Sequence, residues 1–235
     1  MASYREDLTN FAAYLQRGGR VPRIGHFDLE KQTIQPLSFD SGTPVENLYQ
    51  VTKQLLPPLS GRDVLAVGKN YMEHAKEFNS SGYDSSDKVG WPSHPVIFTK
   101  RATSIIAHGD NIRIHKGFTE SADYEGKVFV ILGQAGYQIH KKDAWNYVWG
   151  YTIINAVTAR ERQRDLKQFY IGKSPDSFCS MGPIAVKKEE LPDEGRCLRL
   201  QTHHISTLSA GQTLQPGDVI ATGTVSLGSH LHVLS

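Results

Sequence analysis

Two stretches constrain this chain more than any other. Tyr124–Leu132 and Val148–Thr158 are rich in β-branched and aromatic residues, the composition of central strands. In the first, Val128, Val130 and Leu132 share one parity, while Glu125 and Lys127 share the other. Both charged side chains therefore face the same side of one strand. Shorter apolar runs at Val64–Val67, Pro95–Thr99, Asn111–Ile114, Pro183–Val186, Leu198–Leu200 and Val219–Thr222 also read as strands. The 21 glycines and 11 prolines supply the turns between them, as at Leu214–Asp218. Many short strands with few helices predict an α+β, β-rich fold rather than a doubly wound parallel sheet.

The N-terminal part reads as a separate small unit. Leu8, Phe11, Ala12 and Leu15 fall at helical spacing, which predicts an amphipathic helix over residues 7–17 closed by Gly18–Gly19. Arg23–Phe27 and Thr33–Leu37 read as strands. Residues 1–60 are expected to form a small β-rich domain, joined through Leu56–Gly61 to a main domain over 61–235. After the Val64–Val67 strand, Asn70 with Glu73 three residues on matches a capping signal, so 70–78 is expected to be a short helix. The Ser/Gly/Asp-rich stretch 79–91 reads as a loop able to act as a lid.

Composition narrows the functional classes. Hydrophobic residues make up 39% and charged residues 21%, so the chain is globular rather than disordered. With 26 Lys+Arg against 24 Asp+Glu, it lacks the basic excess of a nucleic-acid surface. No apolar run reaches membrane-spanning length, and the first residues lack a secretory core, so no membrane partner is expected. Two cysteines, Cys179 and Cys197, form no disulfide scaffold and fit a reducing, cytoplasmic location. The histidines show no metal-site spacing; His203 and His204 are expected on opposite sides of a strand.

Five segments carry residues suited to chemistry. In Gly68–Glu77, His74 and Glu77 are one helical turn apart, where a carboxylate orients an imidazole as a general base. Asp123–Lys127 puts an acid and a base on one strand face, with a surface ion pair as the plainer reading. Asn155–Gln163 reads as a charged helix start. Ile171–Phe178 places Lys173 after a glycine in a turn, without the spacing of a phosphate-binding loop. Pro216–Thr224 runs a strand into Thr222-Gly223-Thr224, whose hydroxyls and N–H groups suit a carboxylate.

Together and in order, these segments resemble the fumarylacetoacetate hydrolase family. The resemblance covers about Val64 to Leu234. It rests on VGKNYMEHAKE at 67–77, PVIFTKRATSI at 95–105, DYEGKVFVILG at 123–133, GYTIINAVTARERQ at 150–163, GKSPDSFCSMGP at 172–183 and LQPGDVIATGT at 214–224. It implies a mixed β-roll catalytic domain with a small N-terminal domain, a homodimer, and C–C bond chemistry on β-dicarbonyl or 2-oxo acids with Mg²⁺ or Mn²⁺. By the same resemblance His74 and Glu77 are the base dyad, and Lys100 and Lys173 are lysines near the substrate and metal, Lys173 counted with the catalytic residues. Lys100, Arg160, Gln163 and Thr224 fall on the substrate side.

The chain departs from that pattern at the metal ligands. Glu125 matches the first carboxylate, but Lys127 and Ala156 stand where the other two belong. Hard divalent ions need oxygen ligands, and a neighbouring ammonium repels them. The metal site is therefore expected to be lost, leaving no cofactor, with Lys127 either supplying positive charge toward an enolate or simply pairing with Glu125 and filling the pocket. The reading is a proton-transfer enzyme (isomerisation, dehydration or cyclisation of a small dicarbonyl) suited to a specialised, secondary-metabolic role. Two alternatives stand beside it: a metal-dependent hydrolase or decarboxylase of acylpyruvate or oxaloacetate type, and a non-catalytic binding protein on the same fold. Against the family pattern, roughly 15 to 25 residues are missing after Thr202 and again after Thr224. The favoured explanation is mobile segments left out of the sequence rather than true deletions.

Overall fold

The structure is a computed structural model that describes residues 10–15, 19–37, 49–50, 55–68, 95–190 and 197–222. The strand expectations hold through most of it. The N-terminal strands are β1 (Asn10–Leu15), β2 (Pro22–Asp28), β3 (Thr33–Pro36), β4 (Tyr49–Gln50) and β5 (Leu55–Leu56). The main body adds β6 (Val64–Gly68), β7 (Val96–Lys100), β8 (Ile105–Ala107), β9 (Ala122–Asp123), β10 (Gly126–Leu132), β11 (Val148–Ala156), β12 (Thr158–Ala159), β13 (Cys179–Met181), β14 (Ala185–Lys187) and β15 (Val219–Ala221). Among the described residues, three α-helices accompany them: α1 (Arg160–Leu166), α2 (Tyr170–Lys173) and α3 (Cys197–Ser209).

Thirteen strands form one mixed sheet in the order β4-β3-β2-β1-β14-β11-β10-β15-β6-β7, with β5, β13 and β8 paired off that path. The β15–β6 and β13–β8 pairs are parallel, and the other pairs in this sheet are antiparallel. At the centre, β10 and β11 pair from Gly126↔Asn155 to Leu132↔Val148. The N-terminal strands enter the same sheet where β1 pairs β14. Gly150 permits the close pairing of β11 with β14: a Cβ there would lie 2.0 Å from the Val186 carbonyl oxygen, so any other residue would push the strands apart.

The central hairpin buries both faces. On one face Val130, Leu132 and Tyr151 pack with Ile205 and Leu208 of α3. On the other, Phe129, Ile154 and Ala156 pack with Val64, Ala66, Phe98, Cys179 and Met181. Each fully buried side chain of this size contributes on the order of 1.5–3 kcal/mol of hydrophobic stabilisation.

Several expectations are corrected. Residues 10–15 are a strand, not part of a helix over 7–17: Ala12 and Tyr14, two apart, are the buried pair. Pairing with β2 on one side and β14 and β5 on the other outweighs the helical spacing of Phe11, Ala12 and Leu15. Asn111–Ile114 is irregular rather than a strand. Leu198–Leu200 belongs to the helix α3, so His203 and His204 are also helical; His204 is buried and His203 exposed. The shortened junction at Thr202–His203 lies inside this helix. The expected helix 70–78, the loop 79–91 and the junction after Thr224 lie outside the described residues.

Candidate active site

The site grows from the entry to β10. Asp123 ends β9, Glu125 precedes β10, and Lys127 is its second residue. The alternation read from sequence is realised: Lys127 Nζ lies 2.9 Å from Glu125 Oε2. The pair is buried, not the plainer surface ion pair, with both side chains at most 4% exposed.

Two neighbouring elements converge on the same carboxylate. β11 runs through Ala156 into β12 and then α1, placing Thr158, Arg160 and Gln163 beneath it. Arg160 Nη2 lies 2.8 Å from Glu125 Oε1, and its Nε donates to Asp123 Oδ2 at 2.9 Å. The helix α2 packs close to the start of α1 because residue 172 is glycine: a Cβ there would meet the Ala159 carbonyl oxygen at 2.9 Å. That approach brings Lys173 Nζ to 2.7 Å from Glu125 Oε1 and 2.8 Å from Thr158 Oγ1. Thr158 also donates to Glu125 Oε1 at 3.1 Å. Lys173 Nζ further sits 5.0 Å above the Phe98 ring.

Lys100 closes the floor. It ends β7, is fully buried, and donates through Nζ to the Val157 carbonyl at 2.9 Å and to the Lys173 carbonyl. It ties β7 to the β11–β12 junction and to α2. Gln163 Oε1 accepts from Arg160 Nη1 at 3.4 Å, whereas its buried Nε2 has no partner among the described residues.

Electrostatics follow from this packing. Burial works to raise the Glu125 pKa, but Lys127, Lys173 and Arg160 together hold the carboxyl well below the usual range. Burial, with Arg160, Lys127 and Lys100 close by, pushes Lys173 well below an ordinary lysine, against the pull of Glu125. Burial likewise lowers Lys100 to about 8. The Cys179 thiol is pushed up to about 11 by burial, so it stays protonated and unreactive, as expected of it.

Lys100, Lys127, Arg160, Lys173, Gln163 and Glu125 are thus gathered into one buried cluster. His74, Glu77 and Thr224 lie outside the described residues. Sequence reasoning assigned no site role to Asp123 or Thr158. Both sat inside segments already singled out, and the signal was an extra oxygen ligand near an arginine and a lysine.

This donor set does not fit a divalent cation. Both oxygens of Glu125 already face cations, Lys127 brings an ammonium and Ala156 a methyl group. Among the described residues, no group of three or more His, Cys, Asp or Glu is placed to hold a metal ion. Among them, too, no helix is long and apolar enough to cross a membrane.

Comparisons with known proteins agree with the fold and the site segments. The sequence profile of the fumarylacetoacetate (FAA) hydrolase C-terminal family matches residues 63–204. The oxaloacetate tautomerase YisK of Bacillus subtilis is 37% identical over 205 residues, covering 79% of this chain; the chain spans 65% of that relative's length. A fumarylacetoacetate hydrolase from Exiguobacterium antarcticum superposes with a TM-score of 0.68 at 29% identity, over 92% of this chain and 86% of the other. A 5-carboxymethyl-2-hydroxymuconate delta-isomerase from Mycobacterium smegmatis superposes with a TM-score of 0.72 at 26% identity, over 92% and 88%. The mixed β-rich fold, the ordered segments and the profile match lead to one conclusion: the chain belongs to the fumarylacetoacetate hydrolase family.

Proposed function

We propose that the chain is a small-molecule enzyme that moves a proton at the carbon beside a carbonyl of a β-dicarbonyl or 2-oxo acid, without a metal ion. The observation that carries this reading is the buried ion pair of Lys127 with Glu125, where a metal-dependent member of the family would need a second carboxylate. An enolate or enol forms when that proton leaves, and a fixed positive charge lowers its energy most in a low-dielectric, preorganised site. Lys127 and Lys173 supply that charge. Arg160, Gln163, Lys100 and Thr224 bind and position the acid. His74 takes and returns the proton, with Glu77 orienting the ring. The oxaloacetate tautomerase and the delta-isomerase among the similar proteins carry names for this kind of proton shift, which favours tautomerisation or isomerisation over C–C hydrolysis or decarboxylation. The assembly is proposed to be a homodimer.

The test is deuterium exchange from solvent into oxaloacetate and a panel of β-dicarbonyl acids, followed by NMR. Protein-dependent exchange is expected, with loss of roughly 10²-fold or more in His74→Ala. No exchange on any member of the panel would overturn the reading and favour a binding protein.

A further inference from the structure

We propose that Glu161 is a positioning residue for Arg160, holding its guanidinium in place through the segment that delivers Asp123. The assignment rests on the proton-transfer reading, in which Arg160 binds the acid, but separate geometry carries it.

Arg160 and Glu161 are the first two residues of α1, so they project in different directions. Arg160 is buried toward the ion-pair cluster, while Glu161 turns to the segment that precedes β9. Three consecutive residues there donate to it. Glu161 Oε1 accepts from the Thr119 hydroxyl at 2.7 Å, the Glu120 N–H at 2.7 Å and the Ser121 N–H at 3.3 Å. Its Oε2 accepts from the Ser121 hydroxyl. The Ser121 carbonyl in turn accepts from the Arg160 N–H at 3.3 Å. Arg162 takes hold just upstream: its Nε donates to the Phe118 carbonyl at 2.6 Å and its Nη2 to the Gly117 carbonyl at 3.2 Å. One such bond would tie a loop to a helix. This set fixes the path of every residue from 117 to 121.

What that path leads to is Asp123. It ends β9, a two-residue strand that pairs with β12 in a small sheet apart from the main one. So short a pair is marginal alone, and Asp123 depends on what anchors the chain before it. Asp123 Oδ2 accepts from both Nε and Nη2 of Arg160, the first at 2.9 Å. This pairing sets the plane of the guanidinium, whose Nη2 lies 2.8 Å from Glu125 Oε1 and whose Nη1 lies 3.4 Å from Gln163 Oε1. An arginine head sits on a long, flexible stem, so its partners aim it. A misplacement of about 1 Å in such a group can cost ~10²-fold in rate. Glu161 therefore acts on the site through Ser121, Asp123 and Arg160 in turn.

The test is NMR of the ¹⁵N-labelled full chain, following the Arg160 Nε–H signal, with the KM of solvent deuterium exchange measured beside it. The signal is assigned by its loss in Arg160→Lys. Glu161→Ala should speed exchange of the Nε proton with water roughly tenfold or more. It should also raise KM about tenfold while kcat stays within about twofold. Glu161→Gln, which keeps one acceptor oxygen, should restore both readouts at least in part. If Glu161→Ala does not fold, Thr119→Ala combined with Ser121→Ala removes the two hydroxyl donors and should give the same changes in smaller size. In an Arg160→Lys background, Glu161→Ala should add less than about twofold to KM. A lower Tm with Nε–H exchange and KM both unchanged would mean a purely structural tie and would overturn the proposal. So would Glu161→Gln no better than Glu161→Ala, or a full KM effect without Arg160. Faster Nε–H exchange in a protein that turns over no acid would uphold the positioning and sink the proton-transfer reading. Turnover with an unmoved Nε–H signal would do the reverse.

Discussion

The central hairpin carries two buried polar groupings, one on each face, and they are built on opposite principles. On the site face Glu125 meets Lys127, Lys173, Arg160 and Thr158, and every charged group has a partner of opposite sign or a carbonyl. On the other face Tyr151 donates to Gln201 Oε1 at 3.2 Å, while Gln201 Nε2 and His204 Nδ1 are buried with no partner among the described residues. The first grouping holds ions and tolerates them through mutual compensation. The second holds neutral groups and keeps them neutral: burial, with His203 adjacent, lowers His204 to about 4. Buried charge is kept where its partners are in place; elsewhere the fold suppresses ionisation.

The sharpest way to break this contrast is Glu125→Gln. Removing the shared counter-charge leaves Lys127, Lys173 and Arg160 buried together, and a loss of about 3–5 kcal/mol is expected in denaturant unfolding. A loss below about 1 kcal/mol would mean the cations relax to water and the cluster is not electrostatically bound together.

A smaller effect is expected on the other face, and it is a pH effect. The folded pKa of His204 is depressed below its ordinary 6.5, so its contribution to stability is fully present above pH 6.5. That contribution is lost as pH falls from 6.5 toward about 4, by up to roughly 3 kcal/mol. Glu125, whose folded pKa is also lowered, adds its own loss only below about pH 4.5, so the two windows separate. His204→Leu should flatten the upper window in thermal melts and be neutral or slightly stabilising at pH 8, because it removes an unpartnered buried atom. An unchanged upper window would contradict the assignment to His204.

The smallest effect concerns a carboxylate satisfied without cations. Glu161 accepts from the Thr119 hydroxyl at 2.7 Å, the Glu120 N–H at 2.7 Å and the Ser121 hydroxyl, which together hold it at about 2. It fixes the 119–121 loop to α1, next to Arg160. Thr119→Ala removes one neutral donor and should cost about 1 kcal/mol. A loss as large as that of Glu125→Gln would mean that hydroxyl donors matter as much as ion pairs here.

The same contrast explains what was legible in the sequence. The Glu125–Lys127 pair could be read because strand alternation fixes side-chain direction locally. Gln163 and Arg160, three apart on one helix, could be placed together on the same ground. Lys100 could be named only through the family resemblance, and Lys173 otherwise only as a lysine after a glycine in a turn, because their meeting depends on β7, β12 and α2 packing across distant parts of the chain. Residues 10–15 read as helix in sequence because Phe11, Ala12 and Leu15 satisfy a helical spacing, while the pairing with β2 and β14 that makes them a strand is non-local. The strand expected at Leu198–Leu200 failed for the converse reason. The short alternation was real, but it continues through Thr202 directly into a segment whose buried residues Gln201, His204, Ile205 and Leu208 follow helical spacing.

The central proposal is that the Lys127 ammonium does the work a metal ion does in metal-dependent members of the family. The most direct measurement is solvent deuterium exchange into the 2-oxo acid by chelator-treated protein, with metal content measured on the same sample. Exchange is predicted to persist at the untreated rate with less than stoichiometric metal, and to be lost in Lys127→Ala. Exchange that stops on chelation and returns with Mg²⁺ or Mn²⁺ would contradict the account.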